Sequence, residues 1–183
     1  MTKNERKKSV KVSHRRSTKI FAVLLVLASV AVSGWAQSTD LTPEEISSLR
    51  YMREEEKLAH DVYLALYESW NLPVFANIAA SEISHTEQVQ ALLSQFGIAD
   101  PAAGRAPGSF ENPELQALYD SLVAQGTTSR QDAIEVGILI EETDIADLEA
   151  DLEVVAHPDI KRTYESLLRG SRQHLAAFSR QNR

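Results

Sequence analysis

Acidic side chains and histidines interrupt helical stripes that are otherwise apolar. Glu82 and His85 lie three positions apart, between Ile78 and Val89, so both side chains face the same way as the apolar residues of their stripe. A carboxylate and an imidazole one turn apart on a helix can reach the same metal ion. This pair is therefore the first candidate for chemistry in the sequence.

Three further stripes are interrupted near their middle in the same way. The first long stripe contains Glu56, the third contains Glu141 with Asp144 one turn later, and the last contains His174. Each residue lies three or four positions from apolar neighbours, so each is expected to face the core. The candidate metal ligands are Glu56, Glu82, His85, Glu141, Asp144 and His174.

Four long helices and one short helix must position these residues. They are predicted over residues 42–70, 73–96, 113–124, 130–155 and 158–181. Thr42 and Glu45 are placed to form a capping box at the first of them. Short connections inside the first and last pairs require antiparallel packing, and a long crossover carrying the short helix joins the pairs. This connectivity predicts an all-α, ferritin-like four-helix bundle.

The polar interruptions lie within about one turn of the midpoints of their helices. Midpoints of antiparallel helices in a bundle share one level, so the six side chains are expected to converge in the interior. Four carboxylates cannot stay ionised and unpaired there, because burying one isolated charge costs several kcal/mol. A positive partner is required.

Two divalent cations would meet this requirement, because they bring four positive charges to four carboxylates and leave both imidazoles neutral. The sequence thus predicts a site for two divalent metal ions. Mixed carboxylate and imidazole ligands suit iron, manganese and zinc, and the spacing does not choose among them. Metal ions and small molecules such as oxygen or peroxide are the expected partners.

The amino-terminal 36 residues have the tripartite form of an export signal. A basic segment precedes the apolar run of residues 20–32, and small residues follow up to Ala36. The run is shorter than the roughly 20 residues that span a bilayer, so we expect cleavage near Ala36 and no stable membrane insertion afterwards. An uncleaved amino-terminal anchor is the alternative.

Export would place the mature chain in the bacterial periplasm or outside the cell, with residues 37–41 as a linker and residues 42–181 as the bundle domain. The paired Arg15 and Arg16 leave general secretion and twin-arginine export open. The oligomeric state is open as well, with a dimer among the alternatives.

Charge and composition argue against several classes of protein. Residues 1–36 carry 8 of the 19 Lys and Arg but 1 of the 26 Asp and Glu, so residues 37–183 have 11 basic and 25 acidic residues and a net charge of −14. A surface this acidic repels phosphate backbones, which argues against nucleic acid as a partner. The chain has no cysteine, which excludes thiolate chemistry and iron–sulfur centres.

Three segments resemble one family of bacterial domains. Residues 53–63 (REEEKLAHDVY), 140–145 (IEETDI) and 170–175 (GSRQHL) resemble the uncharacterised domain family DUF2202, and the resemblance covers about residues 41–180. It implies the fold of ferritin-like di-iron proteins and a metal site, and makes iron the first expected metal. Such proteins usually have a glutamate one turn before the last histidine, where this chain has Ser171. Asp144 can supply that carboxylate; otherwise the site is mononuclear or asymmetric.

The remaining acidic and aromatic residues near these motifs are expected to serve the structure. Tyr63 is expected to pack in the core, with a hydrogen bond to a metal ligand as the alternative. A small rotation of the first helix would put Glu55 in the place of Glu56. The acidic residues expected on solvated faces are Glu54, Glu55, Glu87, Glu142 and Asp147.

Three functions are compatible with these residues. The first is a redox enzyme in which a di-iron centre handles oxygen or peroxide, with ferroxidase-like chemistry. The second is a metal-binding or stress-protection module without turnover. The third is a metal-free helical interaction module, in which buried polar groups fix the register of the helices.

Overall fold

The computed structural model describes residues 41–181, which form five helices and contain no strand. The helices are α1 (Pro43–Trp70), α2 (Pro73–Gln95), α3 (Pro113–Gly126), α4 (Arg130–Val154) and α5 (Pro158–Gln181). Each end lies within two residues of its predicted position, and the prediction of an all-α fold is confirmed.

The predicted export signal and nearly all of the predicted linker lie outside the described residues. Among residues 41–181, none of the helices combines the length and apolar content that crossing a membrane requires.

The first helix begins with the predicted capping box. The Thr42 hydroxyl accepts the N–H of Glu45 at 3.2 Å, and the Glu45 carboxylate accepts the N–H of Thr42 at 2.9 Å. Asn71 ends α1 with a left-handed φ of 50°, and Pro73 opens α2 two residues later. This tight connection returns α2 alongside α1.

The four long helices contact one another in a closed ring. The helix α1 packs closely on α2, and α4 packs closely on α5, while sparser contacts between α1 and α4 and between α2 and α5 complete the ring. The helix α3 lies across α1 and α4. The long connection therefore joins two helix pairs, which is the connectivity that the sequence predicts.

Two apolar clusters occupy opposite ends of this ring. One joins the second half of α1 to α3 and to the start of α2, and contains Tyr63, Phe75 and Phe178. The other joins the first half of α1 to the end of α2, and contains Met52 and Tyr164. Burying each such side chain stabilises the fold by about 1.5–3 kcal/mol. Because each cluster combines opposite ends of successive helices, neighbouring long helices run antiparallel.

Two buried carboxylates fasten the crossover to α1. Glu54 is 2% exposed, and it accepts the N–H groups of Glu111 and Asn112, the latter at 2.9 Å. Asp61 accepts the N–H of Gly108 at 2.8 Å. The prediction that Glu54 lies on a solvated face is wrong, because the crossover folds over this side of α1 and its backbone donors require buried acceptors.

We predict that Glu45→Ala destabilises the fold. Besides Thr42, the Glu45 carboxylate accepts the N–H groups of Ala156 at 2.8 Å and His157 at 2.9 Å, so one side chain ties the start of α1 to the connection between α4 and α5. Its removal leaves three backbone donors without this acceptor. Urea denaturation at pH 7 should show a loss of about 1–3 kcal/mol in the free energy of unfolding.

Glu44→Ala is the matched control, since it removes an exposed carboxylate from the same helical turn. Burial raises the pKa of Glu45, but the backbone N–H donors and nearby His157 outweigh burial and lower that pKa below 4.5. The stabilisation is therefore present above pH 4.5 and is lost as pH falls through the lowered pKa. Equal stability of the two variants at pH 7 would contradict the assigned role.

Candidate metal centre

The six predicted residues lie together in one polar layer between the two apolar clusters. Their exposed fractions range from 1% for Glu82 to 8% for His174. Side-chain contacts connect five of them, and the sixth, Asp144, lines the same internal cavity as three of the other carboxylates. The six residues converge as the shared level of the helix midpoints predicts, while their role as metal ligands stays a prediction.

Glu82 occupies the middle of this layer. Its Oε2 atom lies 2.7 Å from Nδ1 of His85, and its Oε1 atom lies 2.9 Å from Nδ1 of His174. Glu56 of α1 approaches Nδ1 of His85 to 3.2 Å, and Glu141 of α4 approaches Nδ1 of His174 to 3.6 Å. Each imidazole therefore faces two carboxylates, and Glu82 is common to both.

The two imidazole rings are stacked, with centroids 5.3 Å apart and planes inclined by 29°. The Nε2 atom of His174 lies 3.0 Å from the hydroxyl of Ser81. A hydrogen bond to the outer nitrogen of an imidazole fixes the orientation of the ring. Ser81 thus keeps Nδ1 of His174 turned towards the carboxylates.

A small cavity of about 10 Å³ lies at the centre of the layer, beside Ala59 and Ile140. This space is about that of one water-sized sphere. The carboxylates that line it are those of Glu55, Glu56, Glu82, Glu141 and Asp144.

Glu55 is 6% exposed and belongs to this lining, so the prediction that it lies on a solvated face is wrong. Both Glu55 and Glu56 are buried, because α1 is covered by α2 on one side and by α4 on another. Of the other acidic residues predicted on solvated faces, Glu87 and Glu142 are exposed, as predicted, whereas Asp147 is half-buried.

The central carboxylate and the two histidines hold one another in their charged forms. Burial lowers the pKa of His85, but its hydrogen bonds with Glu56 and Glu82 outweigh burial and raise the pKa to about 11. For His174, contacts with Glu141 and Glu82 likewise outweigh burial and raise the pKa to about 9. Burial alone raises the pKa of Glu82, whereas the two imidazoles lower it to about 2.

The other carboxyls of the cavity have raised pKa values, with burial as the largest cause in each case. For Glu55 and Glu56 the nearby Asp144 adds to the rise. The pKa of Asp144 rises to about 7, although the hydroxyl of Ser171 opposes the rise. The pKa of Glu141 is raised as well. Two imidazolium charges balance two of the five carboxylates. Within this group of side chains, the negative charge of the other three can be removed only by protonation.

Several polar atoms of the layer lack an aligned hydrogen-bond partner among the described residues. They are Oε2 of Glu55, Oε1 of Glu56, Oδ1 of Asp144 and Nδ1 of His174. The last is close to Glu82 but is not aligned for a hydrogen bond. Buried polar atoms without partners are costly, so this group of atoms is a candidate place for a bound ion or water.

The spacing of the candidate ligand atoms fits divalent cations. Two ligands at about 2.1 Å from one ion, at right angles, lie about 3 Å apart. The N···O separations around Glu82 and the two histidines, from 2.7 to 3.6 Å, bracket this value. Ligand atoms of Glu82, His85 and His174 all lie within 4.8 Å of one another. This buried group can hold a metal ion.

Gly170 makes room for the ring of His85. A Cβ atom at this position would lie 2.4 Å from Nε2 of His85, so no side chain fits between α5 and the ring. The sequence interpretation missed Gly170. A signal was present, because glycine inside a helix costs about 0.5–1 kcal/mol relative to alanine, and this glycine lies one turn before His174.

Tyr63 packs in the core, as predicted, and also contacts one of the candidate ligands. Its ring is fully buried and packs against Phe75 and Phe178, with ring centroids 6.1 and 5.2 Å away. Its hydroxyl donates a hydrogen bond to Oε1 of Glu141 at 2.6 Å. Burial and the neighbouring Glu141 raise the pKa of Tyr63 well above 10, so the phenol remains a donor that orients this carboxylate.

These features define an all-helical protein whose core contains a layer of carboxylates and imidazoles. Residues 45–182 match the uncharacterized protein domain DUF2202, and the chain belongs to this family. The family membership expected from the sequence is thereby confirmed.

One relative and one solved structure illustrate the similarity. The chain is 48% identical over 140 residues to the uncharacterized protein MJ0754 of Methanocaldococcus jannaschii, a match that covers 76% of each chain. The crystal structure of the hypothetical protein MJ0754 from Methanococcus jannaschii is similar at a TM-score of 0.77 and 47% identity, over 78% of this chain and 81% of that chain. These names specify no reaction.

We predict that Gly170→Ala destabilises the protein, although glycine to alanine inside a helix ordinarily stabilises by about 0.5–1 kcal/mol. The added methyl group must displace the ring of His85 or separate α5 from α2. Urea denaturation should therefore give a lower free energy of unfolding than the wild type. Gln173→Ala, an exposed substitution on the same helix, should change it little. A Gly170→Ala protein more stable than the wild type would contradict the close approach.

Proposed function

We propose that this protein binds two divalent metal ions in the polar layer, with iron as the principal metal and manganese or zinc as alternatives. The observation that carries the proposal is the position of Glu82, whose two oxygens face different imidazoles beside a cavity lined by carboxylates. A carboxylate in this position suits two ions. Glu56 with His85 would complete one set of ligands, and Glu141 with His174 the other.

The charge of the layer supports two ions rather than one. The cavity is lined by five carboxylates, and the two histidines must be neutral to bind metal through Nδ1. One divalent ion would leave three carboxylate charges unbalanced in the interior, whereas two ions would leave one. Asp144, which lies beside Ser171, offers the carboxylate that the last helix lacks.

We infer a redox role for the bound metal, in which iron exchanges electrons with oxygen or peroxide. Hard carboxylate ligands favour the higher oxidation state of iron, which supports this chemistry. The chain itself contributes the orientation of its ligands through Tyr63 and Ser81, and its two apolar clusters keep bulk water away from the layer. Metal binding or stress protection without turnover is the alternative for the same site.

The finer assignment of the fold and the location belong to the same proposal. The closed ring of antiparallel helices with a long crossover supports a ferritin-like bundle. The tripartite form of residues 1–36 supports export to the periplasm or the exterior. Oxygen and peroxide are small enough to reach a buried centre, and the acidic surface favours cations as partners.

We predict that Glu82→Gln lowers the metal content from two ions per chain to one or none. The amide keeps the size of the side chain but removes the negative charge shared by His85 and His174. The measurement is elemental analysis after anaerobic equilibration with Fe(II) and gel filtration without chelator.

Glu87→Gln is the matched control, because it makes the same change at an exposed position of α2. This variant should retain the metal content of the wild type. A Glu82→Gln protein that still holds two ions would overturn the assignment of Glu82.

A separate experiment tests the redox role. Wild-type protein loaded anaerobically with Fe(II) is exposed to oxygen or to peroxide, while consumption and the ultraviolet–visible spectrum are recorded. We expect repeated additions of Fe(II) to be oxidised faster than free Fe(II), with continued consumption of the oxidant. If consumption of the oxidant stops after one equivalent per bound iron, the protein is a metal-binding module without turnover. If the protein retains iron and its spectrum does not change, the result contradicts redox chemistry.

A metal-free interaction module is favoured by one observation: two imidazolium groups can neutralise part of the layer by themselves, given the raised pKa values of His85 and His174. A chelator separates this reading from metal binding. A ligand present at 100 times its Kd stabilises by about 2.7 kcal/mol, so chelation should lower Tm by about 5–10 °C. An unchanged Tm, in protein purified without chelator, would support the metal-free reading.

A further inference from the structure

Cations that reach the polar layer must pass between helices. Each end of the ring is closed by an apolar cluster, and the cavity lies between the two clusters. An ion crossing either cluster would lose its hydration without replacement, at a cost of many kcal/mol. The side walls of the ring are therefore the available approach.

Two of the four side walls are more sparsely packed, the one between α1 and α4 and the one between α2 and α5. The helix α3 packs on the first of these walls beside the cluster that contains Tyr63, and contributes no residue to the other cluster. At the layer, the wall between α2 and α5 presents the hydroxyl of Ser81 and the outer edge of His174, while the Glu82 carboxylate between these helices is 1% exposed and already contacts two imidazoles. The wall between α1 and α4 presents carboxylates. A divalent cation is attracted to the wall between α1 and α4 and is not attracted to the wall between α2 and α5.

The carboxylates of α4 lead from the layer towards the carboxyl-terminal end of that helix. Glu141, Asp144, Asp147 and Asp151 follow at steps of three, three and four residues, which places them along one side of α4. With a rise of 1.5 Å per residue, Asp147 lies about 4.5 Å further along the axis than Asp144. Asp147 is half-buried, whereas Asp144 is 6% exposed, so the row runs from the interior to a more accessible position.

Glu55 of α1 faces this row. Burial raises the pKa of its carboxyl, and the nearby carboxylates of Asp144 and Asp147 add to the rise, because the three groups would repel one another if all were ionised. Its Oε2 atom and Oδ1 of Asp144 are buried without hydrogen-bond partners, and both residues line the cavity.

We propose that Glu55, Asp144 and Asp147 form an entry site for divalent cations between α1 and α4, through which metal reaches the layer. This inference rests on the proposed metal centre and assigns a role to Glu55 and Asp147, which are not among its ligands, with Asp144 as the carboxylate that links them to the centre. An ion would meet Asp147 first, exchange part of its water for the oxygens of Glu55, and pass to Asp144 and the interior. Oxygen ligands at each step limit the cost of losing water.

Rates of metal loading test the entry site separately from the centre. Wild-type, Asp147→Asn and Asp147→Lys proteins are stripped of metal and mixed with Co(II) in a stopped-flow spectrometer, and the visible absorbance of bound cobalt is followed. We expect loading to slow by about ten-fold in Asp147→Asn and further in Asp147→Lys, because a row of like charges concentrates the incoming ion. The number of ions bound at equilibrium should not change.

Glu142→Gln and Glu142→Lys are the controls, since they make equivalent changes of charge at an exposed position of α4 outside the row. They should load at the wild-type rate. Salt should slow the wild type more than Asp147→Asn, a difference that a structural role of Asp147 would not produce. Urea denaturation establishes that the Asp147 variants are folded.

The outcomes of the loading experiment distinguish the entry site from the metal centre. Slower loading with an unchanged stoichiometry supports the entry site. Equal rates in wild type, Asp147→Asn and Asp147→Lys, with the centre still filled, overturn it and leave the wall between α2 and α5 as the route. A wild-type protein that binds no cobalt, manganese or iron overturns the metal centre itself, whatever the rates.

Discussion

The carboxylate of Glu82, held between Nδ1 of His85 and Nδ1 of His174, is the interaction on which the interior depends. It lies at the one level that all four long helices share, and it connects α2 to α5 where their direct packing is sparse. A lone carboxylate at 1% exposure would be strongly destabilising. Its position beside two imidazoles provides the positive charge that a buried carboxylate requires.

A polar layer at mid-height has a structural consequence, because it divides the apolar core in two. Neither cluster extends across the ring, so each end must be secured separately. Glu45 joins the start of α1 to the turn between α4 and α5, and Glu54 with Asp61 fastens the crossover. These acidic residues bond backbone N–H groups, whereas the acidic residues of the layer mostly lack such donors. Acidic side chains thus stabilise the two ends of the ring, whereas in the polar layer their unpaired oxygens are destabilising.

Periodicity predicted the helices and the convergence of the six residues, because burial repeats at the helical spacing and antiparallel helices align their midpoints. Periodicity did not predict the features that depend on contacts between helices. Glu55 is three positions from Met52 and four from Ala59, as consistent with burial as Glu56, but only contact with α4 shows that both are buried. Gly170 was missed because the ring it accommodates belongs to another helix. The roles of the six as ligands stay a prediction.

The layer is also asymmetric, and the asymmetry accounts for its electrostatics. Both imidazoles come from α2 and α5, whereas α1 and α4 supply carboxylates alone. Glu82 lies on the imidazole side, which is why its pKa is lowered while the pKa values of Glu55, Glu56 and Asp144 are raised. Four carboxyls facing one another without a cation are costly, and protonation relieves the repulsion by removing their negative charge. Apolar side chains on this side of the layer would avoid the cost altogether, so the carboxyls require a role other than stability, and the proposed binding of cations supplies one.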